Sequence, residues 1–190
     1  GRLLSKVGND SLAIIELEKA INLDEDQAGE LLGEIAKFYI KDKRYPEAIA
    51  TYERKRNEFK TKLSVQEYND LGKAYYFGPN NYVLADSCFA DVALLAPTYS
   101  SAILWRARSV YKQDLTNENW LAKEHYAKYI EMLSAEDLVN PSYKSSILEA
   151  SKYLGDFYVN SNEKDFEKAK EYWNLVKTVS PEDKQADAFF

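Results

Sequence analysis

His125 is the only histidine in the 190-residue chain, and Cys88 is the only cysteine. A zinc site wants several nitrogen or sulfur ligands at short spacing, so these two residues make none. One thiol closes no intrachain disulfide. Cys88 stands one residue before Phe89, where a thiol acts as a small apolar filler. His125 follows Glu124 and precedes Tyr126 on a predicted helix, which places it near the surface. Neither a GxxxxGK[ST] phosphate loop nor a GxSxG nucleophile turn occurs. The acidic pairs Glu16/Glu18, Asp24/Asp26 and Glu182/Asp183 fall at predicted helix ends or on exposed faces. No acid, base and nucleophile converge, so the sequence predicts a protein that is not an enzyme and carries no cofactor or metal.

The elements that position these residues come from a mixed composition. Apolar residues make up 45% of the chain and charged residues 29%, with a formal net charge of −6. That is enough apolar material for one continuous core. An acidic chain with no basic stripe is a poor match for a phosphate backbone, so no nucleic-acid partner is expected. The longest uncharged run, Val92 to Trp105, is broken by Pro97 and is too short to span a bilayer. No charged start followed by an apolar segment opens the chain, so no secretory signal is read in these residues. Location stays open between the cytoplasm and an exported compartment.

A small residue recurs at Ala13, Ala48, Ala85, Ala122 and Ala169, at spacings of 35, 37, 37 and 47 residues. Four residues after each comes Leu17, Tyr52, Phe89, Tyr126 or Trp173, and three further on Ala20, Lys55, Val92, Tyr129 or Val176. Offsets of four and seven lie on one helix face. A second pattern precedes the first. Ile35, Ala36 and Tyr39 correspond to Leu71, Gly72 and Tyr75, to Ala107, Arg108 and Tyr111, and to Leu154, Gly155 and Tyr158. Small residues let two helices approach closely, and the aromatic fills the space beside them. The first unit keeps only its latter half, with Leu4 in the tyrosine place and Gly8 in the turn.

Helix starts are marked. Ser64-Val65-Gln66-Glu67 reads as a capping box. Pro46 suits the first turn of a second helix. Asn140-Pro141 reads as a cap and a first-turn proline, starting a helix to about Asn160 that is longer than its counterparts by roughly two turns at its N-terminal end. Ser134 to Asp137 forms a short turn before it. Ser180-Pro181-Glu182-Asp183 signals one more helix.

Leu-Gly-x-x-Tyr followed by Ala-x-x-x-aromatic and a closing proline, seen at Leu71 to Pro97 and again at Leu154 to Pro181, resembles the tetratricopeptide repeat. The resemblance covers nearly the whole chain and implies an all-α, right-handed superhelical solenoid of antiparallel helix pairs, of bacterial multi-repeat style. It divides into a partial repeat over 1–25, repeats over 29–60, 64–97, 99–134 and 141–181, and a closing helix starting in 182–190. Arg108 departs from the usual glycine or alanine. Tetratricopeptide domains that clamp a C-terminal carboxylate use Lys-x-x-x-Asn, then Asn, then Lys-x-x-x-Arg. Here Gly33, Lys37, Asp70, Ala102 and Arg106 stand there, and only Arg106 matches, so that clamp is not expected.

Such repeats normally bind in a groove lined by first helices. The expected partner residues are Lys37, Asn69, Lys73 and Tyr76, then Trp105, Arg106 and Lys112, then Lys152 and Tyr153. Trp105 is expected exposed, because Leu104 and Ala107 take the packing places, whereas Phe77 and Tyr153 divide evenly between core and groove. Aromatic and arginine side chains are common hot spots. The leading reading is a protein-protein interaction scaffold that holds a partner peptide or helix in the concave groove. The alternatives are a glycan-binding surface protein on the same frame, and a structural spacer or self-association module.

Overall fold

The computed structural model describes residues 10–190. Leu3, Leu4 and Gly8, on which the leading half-pair rests, lie outside them. The chain divides into two compact units, one ending at Leu95 and the other beginning at Ala96.

The first unit contains α1 (Asp10–Leu23), a 3₁₀ turn (Glu25–Gln27), α2 (Ala28–Lys41), α3 (Tyr45–Asn57), α4 (Val65–Phe77) and α5 (Tyr82–Leu95). Pro46 sits in the first turn of α3, where its missing N–H has no intrahelical partner to lose. Ser64 caps α4 through the expected capping box. The short turns between α2 and α3, and between α4 and α5, fold each pair back on itself. Those two pairs are the most closely packed elements of the unit, and α3 packs on α4 to join them.

The second unit contains α6 (Ser100–Tyr111), α7 (Lys123–Glu131), α8 (Ala135–Val139), a 3₁₀ turn (Pro141–Tyr143), α9 (Lys144–Asn160), α10 (Phe166–Val179) and α11 (Lys184–Phe189). The closing helix appears where Ser180 to Asp183 predicts it, with the Asp183 carboxylate accepting from the Gln185 and Ala186 amides. Two expectations change. Asn140 caps the 3₁₀ turn rather than a long helix, and α9 begins only at Lys144. Its 17 residues exceed the 13 of α4 by about one turn. Part of the inserted length goes into α8, a separate helix started by a capping box on Ser134. Likewise Ala122 precedes α7 instead of lying within it, because the hairpin before it takes up the residues of its first turn.

The core explains the repeat pattern. Ala13, Ala48, Ala85, Ala122 and Ala169 are all fully buried, and Leu17, Tyr52, Phe89, Tyr126 and Trp173 are buried beside them. A Cβ at Gly72 would lie 2.9 Å from the Phe89 ring, and one at Gly155 would lie 2.6 Å from the Trp173 indole nitrogen. The glycine of the first helix and the aromatic of the second are therefore two halves of one contact. Cys88 is buried in this layer, and burial pushes its thiol up to about 12, which suits a filler and not a nucleophile.

The hairpin between α6 and α7 is irregular but ordered. Asp114 is buried, and its carboxylate accepts from the backbone amides of Glu118, Asn119 and Leu121. Trp120 takes the left-handed conformation (φ 51°), uncommon for so large a residue. Its ring is held edge-on by Tyr153 and Phe157, each with a centroid 5.4 Å away.

Candidate functional site

The position seven after each small residue is apolar in most repeats: Val92 and Val176 there are fully buried. At Lys55 and Tyr129 it is not apolar, and each of these residues lines a polar cleft in its own unit.

In the first unit the cleft has a volume of about 400 Å³. One wall is α2, with Glu30, Glu34 and Lys37 around the bare backbone of Gly29 and Gly33. The other side is Lys55 at the end of α3, Thr61 and Ser64 in the connection, and Glu67 in the first turn of α4. Lys55 is only 6% exposed and donates from Nζ to Glu67 Oε1 at 2.7 Å. The other carboxylate oxygen of Glu67 accepts from the Ser64 amide at 2.8 Å and its hydroxyl at 3.0 Å. One glutamate therefore closes the helix cap and holds a buried lysine. Burial opposes its ionisation, but the hydrogen bonds from Lys55 and Ser64 outweigh that and hold its carboxyl below the ordinary glutamate range. Glycine is required opposite it: a Cβ at Gly33 would stand 2.4 Å from Glu67 Oε1.

In the second unit the corresponding cleft has a volume of about 390 Å³. Hydroxyls dominate it: Ser101 from α6, Tyr129 from α7, Ser142 in the 3₁₀ turn, and Ser145 and Ser146 at the start of α9. Tyr129 and Ser146 share a hydrogen bond of 2.6 Å between their hydroxyls. Arg108 forms one wall. Its Nε and Nη2 donate to the Glu149 carboxylate at 2.7–3.1 Å, and the Tyr126 hydroxyl donates to the same carboxylate at 2.8 Å. Burial and the adjacent Glu149 push the Tyr126 phenol up, so it stays a neutral donor. The Arg108 guanidinium lies 4.8 Å from the Trp105 ring centroid, a cation–π distance. The residue that departs from the repeat pattern thus organises the wall of this cleft.

Of the expected partner residues, Lys37 lines the first cleft. Lys73 and Tyr76 are half-buried on α4, and the Tyr76 ring packs against Phe77 and Tyr82. Phe77 is 51% exposed. Asn69 is 4% exposed and faces the interior, a correction to its groove assignment. Trp105 is half-buried rather than exposed, because Arg108 covers its ring. Arg106 is half-buried, and Lys112 is exposed at the end of α6. Lys152 reaches away to Asp183 at 2.6 Å and Gln185 at 2.8 Å. Tyr153 is also corrected: it is 8% exposed, enclosed by Tyr111, Trp120 and Tyr126. The irregular hairpin supplies Trp120, which turns a groove position into core. The residues missed were Lys55 and Glu67 in one unit and Tyr129 with the serines in the other. A lysine in an otherwise apolar register was the signal for the first of them.

Among the described residues no helix is long and apolar enough to cross a membrane, and no group of three or more His, Cys, Asp or Glu could hold a metal ion.

No protein-family model and no curated protein matches the chain. Solved structures do. The whole chain aligns with the C-terminal part of a TPR repeat-containing protein from Cytophaga hutchinsonii, at 31% identity over 70% of that chain, with a TM-score of 0.80. The chain belongs to the tetratricopeptide repeat family. As a TPR protein it has the expected all-α fold class of helix pairs. It is also similar to YrrB, described as a TPR protein with an unusual peptide-binding site (19% identity, 98% of this chain and 86% of that one, TM-score 0.69). A TPR repeats protein from Bacteroides fragilis matches at 16% identity over 100% of this chain and 92% of that one, with a TM-score of 0.57. The last two likenesses concern the fold alone.

Proposed function

We propose that this TPR protein is a non-enzymatic interaction scaffold that takes a peptide or helix of a partner protein along the face lined by its first helices. The observation that carries the reading is the pair of polar clefts at one register of the repeat. In both, a position that normally closes the packing between helix pairs holds a polar head instead. A fold that needed only packing would place valine there, as it does at Val92 and Val176. The second unit adds the residue types that dominate binding energy, with Trp105 beneath Arg108 and Arg106 next to Trp105 in sequence. The peptide-binding site named for YrrB is consistent with this use of the fold.

The test is pull-down of partners from the native cell by the chain and by a Trp105→Ala/Arg106→Glu variant, followed by titration of the captured partner. The variant is expected to lose at least about tenfold in affinity, the scale of one hot-spot residue. Unchanged affinity with intact helicity would overturn the assignment of that face.

A further inference from the structure

The cleft of the first unit presents one donor and one acceptor along a single bare turn of helix. Lys55 has three N–H donors, and among the described residues it has one acceptor, Glu67 Oε1 at 2.7 Å. Its side chain is buried, so the N–H groups left over carry a desolvation cost until something accepts from them. The ammonium sits against Gly33, where an added Cβ would stand 3.5 Å from Nζ. Thr61 supplies the acceptor. Its hydroxyl donates to the Phe59 carbonyl at 3.2 Å, so its oxygen keeps lone pairs for an incoming N–H. An added Cβ at Gly29 would stand 2.6 Å from Thr61 Oγ1. Gly29 and Gly33 are one turn apart, about 6 Å along the axis of α2, and all four residues line the cleft.

Glu67 limits which acceptor Lys55 can take. Two acceptors on one tetrahedral nitrogen stand about 4.5 Å apart. An anion bonded to Nζ would therefore face the Glu67 carboxylate at that distance, in a place shielded from water, with the one ammonium charge already shared. A neutral carbonyl brings no such charge. Polypeptide main chain carries both a carbonyl and an N–H, and they recur on one side of an extended strand every two residues, about 7 Å. With no side chain at Gly29 or Gly33, that wall lets a second backbone come close.

Resting on the scaffold reading above, we propose that this cleft grips the main chain of an extended stretch of the partner: a backbone carbonyl accepts from Lys55 Nζ, and a backbone N–H donates to Thr61 Oγ1. Recognition here is of backbone, so the partner's side chains at these bonds are free to vary.

The probe is a decapeptide, acetylated and amidated at its ends, selected by panning a random library on the folded chain and remade with an ester in place of each peptide bond in turn. An ester lacks the N–H, and its carbonyl is a weaker acceptor. Two ester positions are expected to weaken binding, each by about fivefold to tenfold, the worth of one hydrogen bond. Lys55→Met/Glu67→Leu, which keeps the site neutral and filled, should abolish the loss at the carbonyl position. Thr61→Val should abolish the loss at the N–H position. Alanine at the side chains beside those two bonds should leave affinity unchanged. Esters tolerated at every bond, or losses that neither variant moves, would overturn the main-chain assignment and leave the scaffold standing. A wild-type chain that enriches no decapeptide would overturn both. Circular dichroism on each variant separates loss of binding from loss of fold.

Discussion

The two clefts occupy the same place in the repeat and hold different chemistries. In the first unit the floor is an ion pair, and two glycines make room for it. In the second the floor is a pair of hydroxyls, and the residue matching Gly33 is Trp105, stacked under Arg108. The lesson concerns how a repeat acquires a site. The small residue of each second helix and the large residue four positions on are spent on packing in every described copy. The seventh position can be given up, because a lysine or tyrosine buries its stem or ring in the layer and delivers its polar head to the edge. What surrounds that head then decides its chemistry. Glycine on the facing helix leaves room for the charge pair of the first unit; in the second unit the charge pair, Arg108 with Glu149, stands in the wall instead.

The comparison breaks most sharply at Glu67. Glu67→Ala strands the Lys55 ammonium in a buried place, and a cost of about 3–5 kcal/mol is expected in urea unfolding. The paired replacement Lys55→Met/Glu67→Leu should recover most of it, since two apolar groups of similar volume replace both charges. If Glu67→Ala instead costs nothing, the pair is not a buried one in solution.

Next in size is Gly33→Ala. Its Cβ pushes the Glu67 carboxylate away from Lys55, and a loss of about 1–3 kcal/mol is expected, less the helix propensity gained. In the Glu67→Ala background the clash is gone, and the same substitution should become stabilising by up to about 1 kcal/mol. A change of sign between the two backgrounds, read from a double-mutant cycle, sharpens the claim that glycine is there for the carboxylate. Equal effects in both would refute it.

The smallest effect belongs to the second unit. Tyr129→Phe removes one neutral hydrogen bond to Ser146, whose hydroxyl still donates to the Tyr143 carbonyl at 2.8 Å. Chemical denaturation should register about 1 kcal/mol. A loss comparable with that of Glu67→Ala would mean the two floors are not of different kinds.

How much was legible follows from where each residue's partner sits. Gly72 with Phe89 and Gly155 with Trp173 are contacts inside one helix pair, and their spacing announced them. The capping box at Ser64 was equally plain, being four consecutive residues. Its other role was hidden, because Lys55 lies in the preceding helix and nothing local points from one to the other. Tyr153 was misplaced for a related reason. Its register fits either face, and the ring that covers it, Trp120, comes from an inserted hairpin with no counterpart in the other repeats. Arg108 looked like a flaw in the pattern while its partner, Glu149, stood 41 residues away.

That hairpin carries a consequence for how the chain meets proteases. Nicking favours exposed tips whose backbone can be drawn out into an enzyme's cleft. Leu115 is such an invitation by its exposure. Asp114 withdraws it, since its two oxygens tie down three amides between Glu118 and Leu121. The connection between α6 and α7 should outlast shorter, unanchored turns under limited digestion, and a single carboxylate would be the reason.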